Sequence, residues 1–304
     1  MRGPEASGDD AARELVVASY NIHGAVGTDR RFDLGRIARV IEEIDPDVVA
    51  LQEVGDIRGR SPAGDHASGL GERLDRAVLY QPTMQKRGRA YGNAILTRLP
   101  VEGSRSYDLS FRTREPRGCL RADLRLGGTA LHVFAVHLGL TRGEQRAQAS
   151  MLLGADILRD AAVSWPLVVL GDFNFWFPGP IARTIRRALV DAAVEVGSPE
   201  PTYPARMPVF RLDRVYVDAA WDVRWTRVHV SPLSRLASDH FPLVAGLRFR
   251  PRITALPPGA SGGTLHPPPG ETSAAGRPVG APIAPGPGVE PPPVGPLPEA
   301  RGGP

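Results

Sequence analysis

Asp172 and Asn174 stand two residues apart directly after Leu167, Val168, Val169, Leu170 and Gly171, so a carboxylate and an amide close a run apolar enough to form a buried strand. Taken alone, this is also what an ordinary turn carries, because Asp and Asn bond their own backbone and Gly supplies unusual dihedrals. The pattern recurs along the chain. Asn21 closes ELVVASYN, Glu53 follows DVVALQ, His137 closes ALHVFAVH, and Asp239 with His240 immediately precedes FPLVAGL. So many polar residues at the ends of apolar runs imply that strand ends converge on one cleft. Carboxylate and amide oxygens gathered there suit a hard divalent cation, and imidazoles handle protons. With oxygen donors and no Cys among them, Mg²⁺ or Mn²⁺ is favoured over Zn²⁺.

The elements that must present these ends are read from periodicity. RFDLGRIARVIEEIDPD places Leu34, Ile37, Ile41 and Ile44 at helical spacing, and Pro46 stops the helix. It joins ELVVAS to DVVALQEV, a strand, helix, strand order that predicts a right-handed crossover between neighbouring parallel or mixed strands. GLGERLDRA reads as a short helix, and AVLYQP, YGNAILT, CLRADLRL and ALHVFAVHL as successive strands, joined in part by hairpins. TRGEQRAQASMLLGADILRDA is expected to be the longest helix, with Thr141 and Glu144 as a capping box. PIARTIRRALV gives another helix, and RLDRVYV, DVRWTRVHV and PLVAGLRF give the last strands, with no internal repeat. The fold class expected is α/β (α+β): two packed mixed sheets with helices on both outer faces, a four-layer sandwich.

The segments SYNIHG, LQEV, GNAILT, HLGL, GDFN, RLDRVYV and SDHFPL follow one another in an order and spacing that resembles the endonuclease/exonuclease/phosphatase superfamily, the DNase I-like metal-dependent phosphoesterases. The resemblance spans nearly all of residues 14 to 249. It implies a DNase I-like sandwich that hydrolyses a phosphodiester, with a nucleic acid or a phospholipid head group as the partner substrate; sphingomyelinase and inositol-phosphate phosphatase activities, or a non-catalytic binding scaffold, are alternatives within the same fold. It makes Glu53 the principal metal ligand, with Asn21 and Asp239 completing the site. Asp172 would activate the attacking water, and Asn174 would orient it. His240 would sit over the phosphate with Asp213 fixing its tautomer, while His137 would donate to a non-bridging oxygen. Asn93, Arg114 and Arg206 are the expected substrate-binding residues. DNase-type relatives buttress the first histidine with a Glu, and no counterpart precedes YGNAILT, so what orients His137 is left open. His23 stands where some relatives carry Asp, and His132 is expected to be structural. The aromatic group Phe173, Phe175, Trp176 and Phe177 is read as core packing.

Composition adds boundaries. The chain has 304 residues, 42% of them hydrophobic and 23% charged, as expected for a protein with a sizeable core. Residues 251 to 304 hold 16 of the 31 prolines and no aromatic residue, so a folded domain is expected over 13 to 250 and a disordered Pro/Gly-rich tail over 251 to 304. Cys119 is the only cysteine, which excludes an intrachain disulfide and is read as a small packed hydrophobe. The N-terminal residues lack the apolar segment of a signal peptide, and the expectation is a cytoplasmic monomer with no obligate protein partner. The net charge of +4 mildly favours an anionic substrate. Lys86 is the only lysine and the arginines are dispersed, so no basic block marks a nucleic-acid arm.

Overall fold

β1 (Glu14–Asn21) and β2 (Val48–Gly55) are nearly all buried, as runs such as LVVASY and VVALQ require when a sheet is covered on both faces. Between them α1 (Leu34–Ile44) turns Ile37, Ile41 and Ile44 inward. Asp33 caps its first turn by accepting from the Arg36 amide, and Asp45 ends it in a left-handed conformation just before Pro46. β1 and β2 pair in parallel, as a crossover demands. The computed structural model describes residues 14–250 apart from 58, 60–63 and 165; the tail expected over 251 to 304 lies outside the described residues.

The remaining elements are α2 (His66–Leu74), β3 (Ala77–Lys86), β4 (Arg89–Thr97), β5 (Val101–Asp108), β6 (Gly118–Leu126), β7 (Thr129–His137), α3 (Arg142–Leu152), β8 (Leu167–Asp172), α4 (Pro180–Arg186), β9 (Val190–Asp191), α5 (Ala192–Glu195), β10 (Asp213–Val217), β11 (Trp221–Val228), α6 (Pro232–Ala237) and β12 (Leu243–Phe249). They form two six-stranded mixed sheets, ordered β11-β12-β1-β2-β4-β3 and β5-β6-β7-β8-β10-β9. One core, including Val17, Ala50, Val133, Leu170 and Val215, fills the space between the sheets. A second packs α1, α2 and α6 on the outer face of the first sheet, and a third packs α3 and α4 on that of the second. This is the four-layer sandwich. Each fully buried Leu or Ile in these layers contributes about 2 kcal/mol relative to exposure.

The segment expected to be the longest helix is cut short. Its capping box is present, with Thr141 and Glu144 bonding each other's backbone amides, but α3 stops at Leu152 and gives way to turns around Gly154. It equals α1 at 11 residues. Cys119 is fully buried in the third core, where burial pushes its thiol well above the usual range. His132 is tied to Asp123 at 2.5 Å and to Ser164 at 3.2 Å, away from the strand ends, in keeping with a structural role. No described helix is long and apolar enough to cross a membrane. Every strand and all three cores end at or before Phe249. Truncation after Arg250 should therefore leave the thermal unfolding midpoint unchanged, and a large drop by calorimetry would show that the tail carries part of the fold.

Candidate active site

Register in the second sheet sets three of the polar residues on one rung. β7 pairs in parallel with β8 so that His137 faces Asp172, and β8 pairs antiparallel with β10 so that Asp172 faces Asp213. Gly171 permits this approach: at φ +154° its Cβ position would lie 1.9 Å from the Val136 carbonyl oxygen, so no side chain fits. In the first sheet a bulge interrupts the pairing of β2 with β4 between Leu51 and Val54, and Glu53 sits inside it at φ +59°. A left-handed residue in a bulge re-aims its side chain, here toward the gap between the sheets.

These ends surround a cavity of about 390 Å³ whose wall includes Glu53, Asp172, Asn174, His137, Asp239 and His240. Asp172 is the hub. Its Oδ1 accepts from the Asn174 backbone amide at 2.9 Å, and its Oδ2 accepts from the Asn21 side-chain amide at 3.1 Å. Nε2 of His137 and Nε2 of His240 stand 3.7 and 3.8 Å from the same Oδ2. Those distances are too long for hydrogen bonds, so both imidazole edges remain available to a ligand in the cavity. Asp213, fully buried on β10, accepts from His240 Nδ1 at 2.9 Å. Burial pulls the His240 pKa down, but Asp213, with Asp172 and Asp239 behind it, outweighs this and raises it to about 10. Burial pushes Asp172 up to about 6, opposed by the nearby His240 charge. His240 is therefore an imidazolium at neutral pH, and Asp172 a carboxylate close to its titration.

What orients His137 is Arg117. Its Nη1 lies 3.3 Å from His137 Nδ1 and 2.8 Å from the Glu115 carboxylate. A guanidinium only donates, so Nδ1 must accept and the ring proton resides on Nε2, facing the cavity. Burial, reinforced by the Arg117 charge, holds the His137 pKa well below the ordinary histidine value, which keeps it neutral. The position left open beside His137 is thus filled by an arginine that a glutamate braces. Replacing Arg117 with Met should cost about 10- to 100-fold in kcat/KM. The ¹⁵N signals of His137 should then change from one tautomer to a mixture; a ring that keeps a single Nε2–H tautomer in the variant would show that Arg117 does not set it.

The structure places several of the expected site residues outside the cavity wall. Arg114 is exposed on a turn and is absent from the cavity wall, where Arg117 stands instead. Arg206 is also exposed, and its guanidinium donates to the Thr28 carbonyl at 2.6 Å, tying two loops together outside the wall. Asn93 is buried and donates to the Gly118 carbonyl at 3.1 Å, so it fixes the strand just after Arg117 rather than lining the cavity. Asn21 turns its NH₂ toward Glu53 and Asp172, while its Oδ1 accepts from the His23 amide. In this arrangement its NH₂ brackets the two carboxylates. The aromatic group divides: Phe173 and Phe175 are core, Trp176 joins the cavity wall, and Phe177 is 67% exposed. His23, Tyr91 and Tyr203 also line the cavity, the last with its ring 4.8 Å from that of His240.

Comparison with known proteins matches residues 18–240 to the Endonuclease/Exonuclease/phosphatase family. This chain belongs to that family. Its members are phosphoester hydrolases that generally depend on a divalent metal ion. The uncharacterized protein YbhP of Escherichia coli is 31% identical over 248 residues, covering 77% of this chain and 96% of YbhP. An endonuclease/exonuclease/phosphatase structure from Beutenbergia cavernae superposes with a TM-score of 0.65 at 26% identity, over 78% of this chain and 72% of that one. A mannosyl-6-phosphatase from Bacteroides thetaiotaomicron shares the fold, with a TM-score of 0.58 at 19% identity over 77% of this chain and 100% of that one.

Proposed function

We propose that the protein is a divalent-cation-dependent phosphodiesterase in which water, activated at Asp172, attacks a phosphoryl group held between His137 and His240. The observation that carries this reading is the convergence of both imidazole Nε2 atoms on one Asp172 oxygen at 3.7 and 3.8 Å. Asp172 takes the water proton, and its raised pKa suits a base working near neutrality. Neutral His137 donates its Nε2–H to a non-bridging oxygen as charge develops there. The His240 imidazolium, anchored by Asp213, adds positive charge on the opposite side and can supply a proton to the leaving oxygen. Asn174 holds the Asp172 carboxylate through its backbone amide.

The charge on the wall supports a cation. Glu53, Asp56, Glu115, Asp172 and Asp239 contribute five carboxylates against Arg117 and the charged His240, so an anionic ester alone would be repelled. Among the described residues no three His, Cys, Asp or Glu side chains form a closed metal cage. Glu53 and Asp239 instead offer the one or two carboxylates that Mg²⁺ or Mn²⁺ takes when water and phosphate oxygens complete its shell. When bound, such an ion supplies Lewis-acid charge to the phosphoryl oxygens.

The test is hydrolysis of bis(p-nitrophenyl) phosphate with Mg²⁺ or Mn²⁺, with EDTA, and with Glu53→Gln. Turnover should require the cation, and the variant should need about ten-fold more Mg²⁺ for half-maximal rate. Full activity in EDTA, or an unshifted Mg²⁺ curve for Glu53→Gln, would defeat the assignment.

A further inference from the structure

Met207, Phe177, Leu140 and Val209 are the most exposed large apolar side chains among the described residues, at 70, 67, 58 and 56%. They belong to three loops that also build the cavity. Leu140 is itself a wall residue, Phe177 follows the wall residue Trp176, and Met207 and Val209 lie between the wall residues Tyr203 and Leu212. Scattered exposed hydrophobics are ordinary, whereas four carried on the loops that build one cavity mark a surface that meets an apolar partner.

Cations flank the tips. A groove of about 580 Å³ carries Leu140 and Phe177 together with Arg142 and Arg146, and an adjoining groove of about 390 Å³ carries Val209 with Arg183 and Arg186. These four guanidinium groups are on exposed residues and make no hydrogen bond or ion pair among the described residues. Neither groove is lined by an Asp or a Glu.

We infer that this face docks on a lipid surface bearing anionic head groups, with the four apolar tips entering the boundary of the acyl chains and the arginines meeting lipid phosphates. Interfacial binding draws on this pairing of apolar insertion with cationic contact to head groups. A single-stranded nucleic acid is less well served, because Leu140, Met207 and Val209 offer no π-face on which a base can stack. Since Leu140 lies in both groove and cavity, docking would bring a head-group phosphodiester to the cavity mouth. That substrate assignment rests on the phosphodiesterase reading; the docking itself does not.

Co-sedimentation of the full chain with phosphatidylcholine vesicles, with and without phosphatidylglycerol, tests it in EDTA. The wild type should partition onto the anionic vesicles. The pairs Leu140→Ser with Phe177→Ser, and Met207→Ser with Val209→Ser, should each weaken partitioning by about ten-fold. Arg142→Glu with Arg146→Glu should remove the preference for phosphatidylglycerol. Circular dichroism checks that each variant is folded, which the exposure of all six sites favours. Absence of wild-type sedimentation with either vesicle overturns the inference, as does full retention by the apolar variants. So does binding of a fluorescein-labelled single-stranded oligonucleotide, lost in the same variants, without vesicle binding. Parallel hydrolysis of soluble bis(p-nitrophenyl) phosphate separates the two readings: docking without turnover sinks the activity alone, and turnover without docking sinks the lipid surface alone.

Discussion

Asp172→Asn should lower kcat by about 10³-fold while the protein stays folded, because it removes the carboxylate oxygen that stands 3.7 and 3.8 Å from the two imidazole Nε2 atoms. The Asn oxygen can still accept from the Asn174 backbone amide, as Asp172 Oδ1 does at 2.9 Å, but its NH₂ then meets the Asn21 NH₂ from which Oδ2 now accepts at 3.1 Å, so circular dichroism is needed to show that the fold is kept. In a folded variant the loss belongs to the missing base. The pH profile provides the sharper check. A carboxylate base is active when deprotonated, so kcat/KM should rise with pH through the Asp172 pKa, which burial pushes up to about 6. In the variant that acid limb should vanish, leaving a low rate that no longer rises through this range. An acid limb of unchanged position in Asp172→Asn would assign it to another group and transfer the role of base away from Asp172.

The positions of Asp172, His137, Asp213, Glu53, Asp239 and His240 were legible because each interrupts or borders an apolar run, and strands of one sheet deliver their ends to one side. Parallel pairing of β7 with β8 turned that pattern into a rung. Less legible were features that depend on tertiary geometry. Glu53 looks like an ordinary strand terminus in VVALQEV, yet the bulge and its φ of +59° direct it, and hydrophobic patterning carries no signal for a bulge.

Arg117 illustrates a different gap. It is one arginine among several near Arg114, and composition alone cannot select it. The Gly127–Gly128 turn could have done so. A two-residue hairpin fixes register, here Leu126 with Thr129 and Cys119 with Val136, and continuing one step sets Gly118 across from His137, with Arg117 beside it. Arg114, three residues further out, falls on the turn beyond the strand. The orientation of the Asn21 amide and the outward position of Phe177 had no comparable sequence signal, because both are settled by neighbours distant in sequence.

Asp213→Asn and His240→Ala should act as one unit. Asp213 accepts the Nδ1–H of His240 and is the main source of the upward shift that keeps the ring charged against the effect of burial. Replacing it with Asn lowers the His240 pKa and frees the ring to turn, whereas His240→Ala removes the group altogether. Because the working form of His240 is protonated, kcat/KM should fall as pH rises through its pKa. That alkaline limb should lie near pH 10 in the wild type, move toward neutrality in Asp213→Asn and be absent in His240→Ala. Each single variant should lose about 10²- to 10³-fold in kcat/KM near pH 8, and the double variant should be no slower than the worse single. Measuring all four proteins at saturating Mg²⁺ closes the cycle, with circular dichroism confirming the fold, since Asp213 is fully buried and its Oδ1 has no hydrogen-bond partner among the described residues. Free-energy costs that add in full, with an alkaline limb unmoved by Asp213→Asn, would separate the two residues and leave Asp213 a structural carboxylate.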